Sequence, residues 1–314
     1  REGAEAAARA VEVEYEELPP VLTVDVALAD GATVLHPDRA SYASFGELAP
    51  VPHPNVQGHV VHEHGDVAGG FAAAARVFEH TFTYGRDHQA YLEPRAAAVW
   101  LDGDTVHVIT TNKAPFSLRD QMARTLGIPA ERIEVDAGYI GGDFGGKGLS
   151  LDEHVLYFLA KATGRPVRSL MSFTDDFQVT NPRHGGTITL KTAVDADGRI
   201  LAHQARVLLD GGAYAAGKPV VGVIPGDSGL TLAGYRVPVA RVEVTTVYTN
   251  TEPAGHVRAP GQPQNAFAAE SHVDEIARAM DIDPLEFRIR NAIQVGETDV
   301  HGQDWHDPLA RQVL

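Results

Sequence analysis

Cysteine is absent from this chain of 314 residues. That excludes disulfide staples, cysteine nucleophiles, thiolate zinc sites and cysteine-ligated iron–sulfur clusters held by the chain itself. It fits a reducing compartment. Also missing is any apolar run of about 18 residues, the length a membrane helix needs. The first residues are charged and Ala-rich, without the apolar core of a secretory signal. A cytoplasmic location is therefore expected. Base is scarce: 26 Lys and Arg stand against 42 Asp and Glu, a formal charge of −16. Nonspecific attraction to nucleic acid comes from Lys and Arg, so a general phosphate-backbone binder is a poor fit.

What is present is an ordinary globular balance, 44% hydrophobic and 22% charged. The length suits about two domains at roughly 150 residues each, with a core that needs no covalent staples. The chain begins at Arg1 rather than Met, as expected of a processed chain or a piece of a longer one.

Val11-Glu12-Val13-Glu14-Tyr15 alternates with period two and predicts a half-exposed strand, broken by Leu18-Pro19-Pro20. Residues 30–70 carry Pro37, Pro50, Pro52 and Pro54 and are read as loop and linker. Residues 1–70 are thus assigned to the remnant of a small N-terminal α/β domain plus linker, and 71–314 to the main domain. Within the latter, a short helical turn is predicted over 71–77 and strands over 78–84, 96–101 and 106–111. Asp102-Gly103-Asp104 turns the hairpin. A helix over 117–126 stops at Gly127, and strand 132–135 leads into a glycine cluster at 138–148. A helix over 150–162, strands over 187–194, 200–209 and 239–248, and helices over 266–280 and 284–292 complete the chain, Asp283 capping the last. The irregular interleaving favours an α+β fold, mixed sheets with packed helices, over a strict βαβ repeat.

The most informative stretch is Gly141-Gly142-Asp143-Phe144-Gly145-Gly146-Lys147-Gly148, placed between a strand and a helix. Its glycines permit positive φ and close approach of a ligand to the main chain. Exposed amides beside a helix N-terminus suit anionic or strongly polar oxygens. A nucleotide P-loop is one reading, but Gly148 stands where Mg²⁺ binding needs Ser or Thr. A dinucleotide fingerprint has the wrong glycine spacing, and a flexible structural turn is the bland alternative.

The run Gly141 to Lys147 resembles the glycine–phenylalanine loop of the molybdenum hydroxylases, the xanthine dehydrogenase and aldehyde oxidase family. Other segments agree with that family in order: the run from Val13 to Val21, His88-Gln89-Ala90-Tyr91-Leu92-Glu93-Pro94, Gly164-Arg165-Pro166-Val167 and Asn181-Pro182-Arg183-His184. Arg258-Ala259-Pro260-Gly261-Gln262-Pro263-Gln264 and Asp283-Pro284-Leu285-Glu286-Phe287-Arg288 continue the series.

The resemblance implies the first of two cofactor-binding domains, of the type that holds a molybdenum–pterin, expected as molybdopterin cytosine dinucleotide. A second cofactor domain, which in the family supplies an activating glutamate, has no counterpart here. Half a site and no turnover from these residues alone are expected, and no catalytic residue is assigned. Gly141, Gly142, Asp143, Phe144 and Gly145 are the implied cofactor-binding loop, its amides meeting an oxygen at the metal. Arg258 and Ala259 form the family's second loop, with the guanidinium supporting the cofactor edge. Lys113 aligns with a position where the family often has a glutamine donating to the metal's oxo group; an exposed lysine at a strand end is the alternative.

The implied chemistry is hydroxylation with oxygen drawn from water. Electrons leave through partner subunits carrying iron–sulfur centres and FAD. Purine-oxidising members carry a glutamate where this chain has Gly148 and a stacking phenylalanine where it has Pro260; their substrate arginine aligns near Gly226. The carbon monoxide-oxidising members need a cysteine. An aldehyde or an N-heteroaromatic substrate remains. The competing class is a non-catalytic binding or assembly module that kept the fold without the cofactor. His53, His59, His62 and His64 could suggest a metal site, but their Pro-rich setting argues against one. Asp175-Asp176 is read as a solvated turn, Asp152 and Glu153 as acids at a helix start, and Trp100 and Trp305 as packing residues.

Overall fold

The computed structural model describes residues 2–42, 48–148, 150–215, 228–306 and 308–313. Gly226 lies outside the described residues. Strands in chain order are β1 (Val56–His64), β2 (Arg76–Tyr84), β3 (Ala96–Asp102), β4 (Thr105–Thr110) and β5 (Ile133–Asp136). They continue with β6 (Val167–Leu170), β7 (Gly186–Val194), β8 (Ile200–Gly212) and β9 (Ala240–Tyr248). The helices include α1 (Glu2–Arg9), α2 (Val24–Ala27), α3 (Val67–Ala72) and α4 (Pro115–Leu126), then α5 (Glu153–Thr163), α6 (Phe173–Val179), α7 (Gln262–Ala279) and α8 (Pro284–Asn291).

Two mixed sheets result. The larger runs β1-β9-β8-β7-β2, with only β8 and β9 parallel; the smaller runs β5-β4-β3-β6, with only β4 and β5 parallel. The mixed α+β architecture is as the sequence indicates. In the larger sheet, Ile188, Leu190, Val207, Leu209, Val242 and Val244 alternate toward α7 and α8, which contribute Val273, Ile276 and Phe287. Each such aliphatic side chain, fully buried, stabilises by about 1.5–3 kcal/mol. The smaller sheet packs Val99, Val106 and Val108 against Leu118 and Met122 of α4 and Leu156 and Tyr157 of α5. Helix ends follow their residues: Pro115 opens α4, and Gly127 and Gly164 close α4 and α5 at φ +67° and +62°. Asp283 caps α8 by accepting from the amides of Leu285 and Glu286.

Three expectations fail, each for a physical reason. Residues 11–15 form no strand: no neighbouring strand pairs with them among the described residues, and Val11, Val13 and Tyr15 are exposed. The stretch 30–70 is not all linker. β1 pairs along its length with β9, hiding Val56 and Gln57, and α3 follows over 67–72 rather than 71–77. Asp175-Asp176 is no solvated turn but part of α6, where Ser172 and Asp175 form a reciprocal capping box and Asp176 is buried.

A polar thread crosses the larger core. His80 Nδ1 meets His272 Nδ1 at 2.7 Å, and Thr192 Oγ1 bridges His272 Nε2 and His203 Nδ1 at 2.9 Å each. His203 Nε2 then meets Thr231 Oγ1 at 2.9 Å. Burial, reinforced by the neighbouring ring, pushes both His203 and His272 down to about 3.

Candidate functional site

Strand direction gathers the site. Because β4 and β5 run parallel, their carboxyl ends finish together, delivering Lys113 from one and the glycine loop from the other. β3 runs against β4, so the segment before it, 85–95, arrives at that same end; β6 runs against β3 and leaves toward α6 there too. The larger sheet adds the loop after β9 and the segment before β7, linked as Arg183 bridges Gly255.

All the sequence-derived candidates meet at this junction. Phe144 carbonyl accepts from the Arg258 amide at 2.8 Å, joining the glycine loop to the second loop. Arg183 holds that second loop from below, its guanidinium 3.0 Å from Arg258 O and 3.4 Å from Ala259 O. Gly141 donates its amide to Glu93 Oε2 at 2.8 Å. The Asp143 carboxylate accepts from the amides of Gly145 at 2.8 Å and Lys147 at 2.6 Å, and from Lys113 Nζ at 2.8 Å. Burial opposes its ionisation, yet these three donors outweigh it and hold the carboxyl below the ordinary aspartate range. Gly145 is required: at φ +107°, a Cβ there would stand 2.5 Å from the His256 carbonyl oxygen.

The backbone is strained at this junction. Among the described residues, the non-glycine positions with positive φ are Ala90, Phe144, Ala259 and Asp281, and all but the last lie here. Such strain persists only where its surroundings impose it, and it marks functional sites more often than chance. Among the described residues, the amides of Gly142, Asp143 and Phe144 make no hydrogen bond, and neither does the Arg258 guanidinium. Phe144 itself is half exposed.

Sequence reasoning missed the support beneath the loop. Lys147 is 0% exposed; its ammonium donates to Glu93 O at 2.6 Å and Oε2 at 2.8 Å and sits 4.4 Å from the centre of the Tyr91 ring. Glu93 also feels burial, but the Lys147 hydrogen bond and the Gly141 amide bring its carboxyl below its usual range. Asp176, 1% exposed, accepts from Tyr91 OH and from the Arg95 amide, both at 2.8 Å. Arg95 in turn reaches Gly146 O at 3.0 Å. The segment 88–94 carried the signal, since Tyr91 and Glu93 sit in it. So did Ser172-Phe173-Thr174-Asp175, a Ser-x-x-Asp capping pattern.

The histidine group spreads out. His59 bonds Thr245 Oγ1, His62 stacks on His301, His64 meets Val237 O and His53 accepts from the Asn55 amide. Among the described residues no group of three or more His, Asp or Glu could hold a metal ion. Trp100 stacks on His107, and Trp305 donates to Asp299. Glu153 is buried, accepting from Thr110 and Ser150 hydroxyls.

The sequence pattern of the molybdopterin cofactor-binding domain family matches residues 52–292. The chain belongs to that family. It is 33% identical over 289 residues to a probable xanthine dehydrogenase subunit of Bacillus subtilis, covering 92% of this chain and 36% of that protein. It is 31% identical to the nicotinate dehydrogenase large molybdopterin subunit of Eubacterium barkeri, covering 94% and 65%. The aldehyde oxidoreductase of Desulfovibrio gigas superposes with a TM-score of 0.85 at 28% identity, covering 99% of this chain and 33% of that one. The chain therefore spans between a third and two thirds of these relatives. The matched region contains the glycine loop, Lys113 and the Arg258 loop. No helix among the described residues is long and apolar enough to cross a membrane.

Proposed function

We propose that this chain holds a molybdenum–pterin cofactor at the junction of the two sheets, as part of a hydroxylase that oxidises an aldehyde or an N-heteroaromatic compound. The observation that carries the reading is the Phe144–Arg258 main-chain hydrogen bond, which joins two loops whose donors, the amides of Gly142, Asp143 and Phe144 and the Arg258 guanidinium, have no partner among the described residues. The donor set fits the group. Free amides and a guanidinium suit anionic and polar oxygens, and Gln89 Oε1, buried with no hydrogen-bond partner among the described residues, supplies an acceptor beside Gly146. Gly142, Asp143 and Phe144 would hold the group by main-chain donors, Gly145 would let the Arg258 loop close against them, and Arg258 would neutralise an anionic edge. When bound, the cofactor supplies the two-electron oxidation with water-derived oxygen, while the protein supplies placement and electrostatics.

Gly148 and Pro260 leave small or rigid residues where purine-oxidising members place contact side chains, which supports a non-purine substrate. The names of the nicotinate and aldehyde relatives agree with that choice, while the Bacillus subtilis relative is named for xanthine, so the loop residues carry the choice. The same proposal places the electron-accepting iron–sulfur and FAD centres on partner subunits of a cytoplasmic assembly, in keeping with the lack of cluster-ligating cysteine in these residues. The cytosine dinucleotide form of the cofactor, a division near residue 70 and lack of turnover by these residues alone belong to the same proposal. Metal analysis of the full-length, co-expressed complex tests it. Molybdenum at one equivalent is expected; stoichiometric zinc, or no metal, overturns it. The competing module reading draws on Lys113, whose ammonium is engaged by Asp143; a molybdenum-free yet folded complex would favour it.

A further inference from the structure

We infer that Lys113 is a positioning residue, which acts through Asp143 to set the turn at Phe144 and does not itself touch the cofactor. The inference rests on the cofactor reading above and departs from what the alignment of Lys113 suggests.

Lys113 clamps the arch of the loop at both feet. Its main-chain amide donates to Lys147 O at 2.9 Å, and its ammonium donates to Asp143 Oδ2 at 2.8 Å. Between those feet, Asp143 gathers the chain: its carbonyl accepts from Gly146 N at 2.8 Å, and its carboxylate accepts from Gly145 N and Lys147 N. Each of these bonds turns a donor inward, while the amides of Gly142, Asp143 and Phe144 meet no acceptor among the described residues. The lysine stem runs alongside Gly148, where an added Cβ would come within 3.3 Å of Lys113 Cε. A lysine anchored by its amide and engaged through its ammonium in this way has its reach already used. Its ammonium is worth having because a carboxylate held by two amides alone would keep a full negative charge beside the loop's ligand-facing donors. Lys113 neutralises that charge without occupying the ligand's place.

The pair is half exposed on the lysine side, so its effect is modest. The test uses the full-length protein in its native assembly, prepared without molybdenum cofactor and again with it. Hydrogen–deuterium exchange of the 141–148 peptide is followed in Lys113→Met, Lys113→Arg, Asp143→Asn and the Lys113→Met/Asp143→Asn double variant. In the cofactor-free protein, Lys113→Met is expected to speed exchange at Gly145 and Lys147 about threefold. Lys113→Arg should restore protection, and the double variant should exchange no faster than Asp143→Asn alone. Molybdenum content of the loaded protein should fall in the same order. Unchanged exchange in cofactor-free Lys113→Met, combined with lost molybdenum, would show direct contact with the cofactor and overturn the inference. So would effects that multiply in the double variant. Absence of molybdenum from the unmutated protein would sink the cofactor reading alone, because the cofactor-free exchange still reports on Lys113 and Asp143.

Discussion

Replacing Gly145 by alanine attacks the junction where the two loops meet. At φ +107° an L residue is strained by about 1–3 kcal/mol. The new Cβ would also stand 2.5 Å from His256 O, 2.8 Å from His256 C and 3.2 Å from Val257 Cα, all backbone atoms that cannot rotate away. Relieving such overlap typically costs about 1–3 kcal/mol more, giving a total of about 2–6 kcal/mol. The cheapest escape is to part the loops, which breaks the 2.8 Å bond from Arg258 N to Phe144 O. Gly148→Ala is the comparator: its nearest neighbour is Lys113 Cε at 3.3 Å, the movable end of a flexible side chain, and its φ is ordinary. The assay is hydrogen–deuterium exchange at Arg258 together with molybdenum content of the assembled protein. Gly145→Ala should lose both protection and metal, while Gly148→Ala stays within about 0.5 kcal/mol of the parent. Equal behaviour of the two variants would refute the reasoning.

Other outcomes follow from the same contacts. His203 and His272 titrate at about 3 in the folded chain against 6.5 unfolded, so the unfolded state binds more protons as pH falls below 6.5. Stability should decline through the interval from 6.5 toward 3, by about 3–4 kcal/mol at pH 5 for the two together; urea unfolding at pH 6.5 and 5 checks this, and a flat profile would contradict it. Lys147→Met removes the cation from the Glu93 carboxylate and a donor from its carbonyl, and should cost about 3 kcal/mol in chemical denaturation, the low end for breaking a buried pair because Glu93 keeps the Gly141 amide and some water. Arg258→Ala should leave unfolding within about 0.5 kcal/mol of the parent, since the guanidinium has no partner among the described residues, yet reduce molybdenum content. The Asp143 contribution to loop order, its carboxyl held low, is fully present above the ordinary value of 3.8 and is lost as pH falls below it; exchange of the 141–148 peptide across that range reads the loss.

Much of the site could be read in the sequence because its two loops are local. Glycines at fixed spacing between a strand and a helix specify the turn around Phe144, and Arg258-Ala259 lies in a contiguous motif. The floor was hidden because it is assembled from distant pieces. Glu93 and Lys147 are far apart in sequence, and Asp176 reads as a solvent-loving carboxylate until Tyr91 and the Arg95 amide close on it. The failed strand at 11–15 shows the opposite error, a clean period-two pattern with no strand to pair with among the described residues. β1 went unread because prolines and histidines around it mask an edge strand, whose register only β9 supplies. The long strands of the larger sheet, with their continuous Val, Ile and Leu alternation, were plain from the start.

The most direct measurement is an experimental structure of the assembled, molybdenum-loaded protein. The expected result is a prosthetic-group oxygen within about 3 Å of the Phe144 amide nitrogen, with Arg258 on the same group. A turn at Phe144 open to water, with the prosthetic group bound elsewhere, would contradict the assignment of this junction.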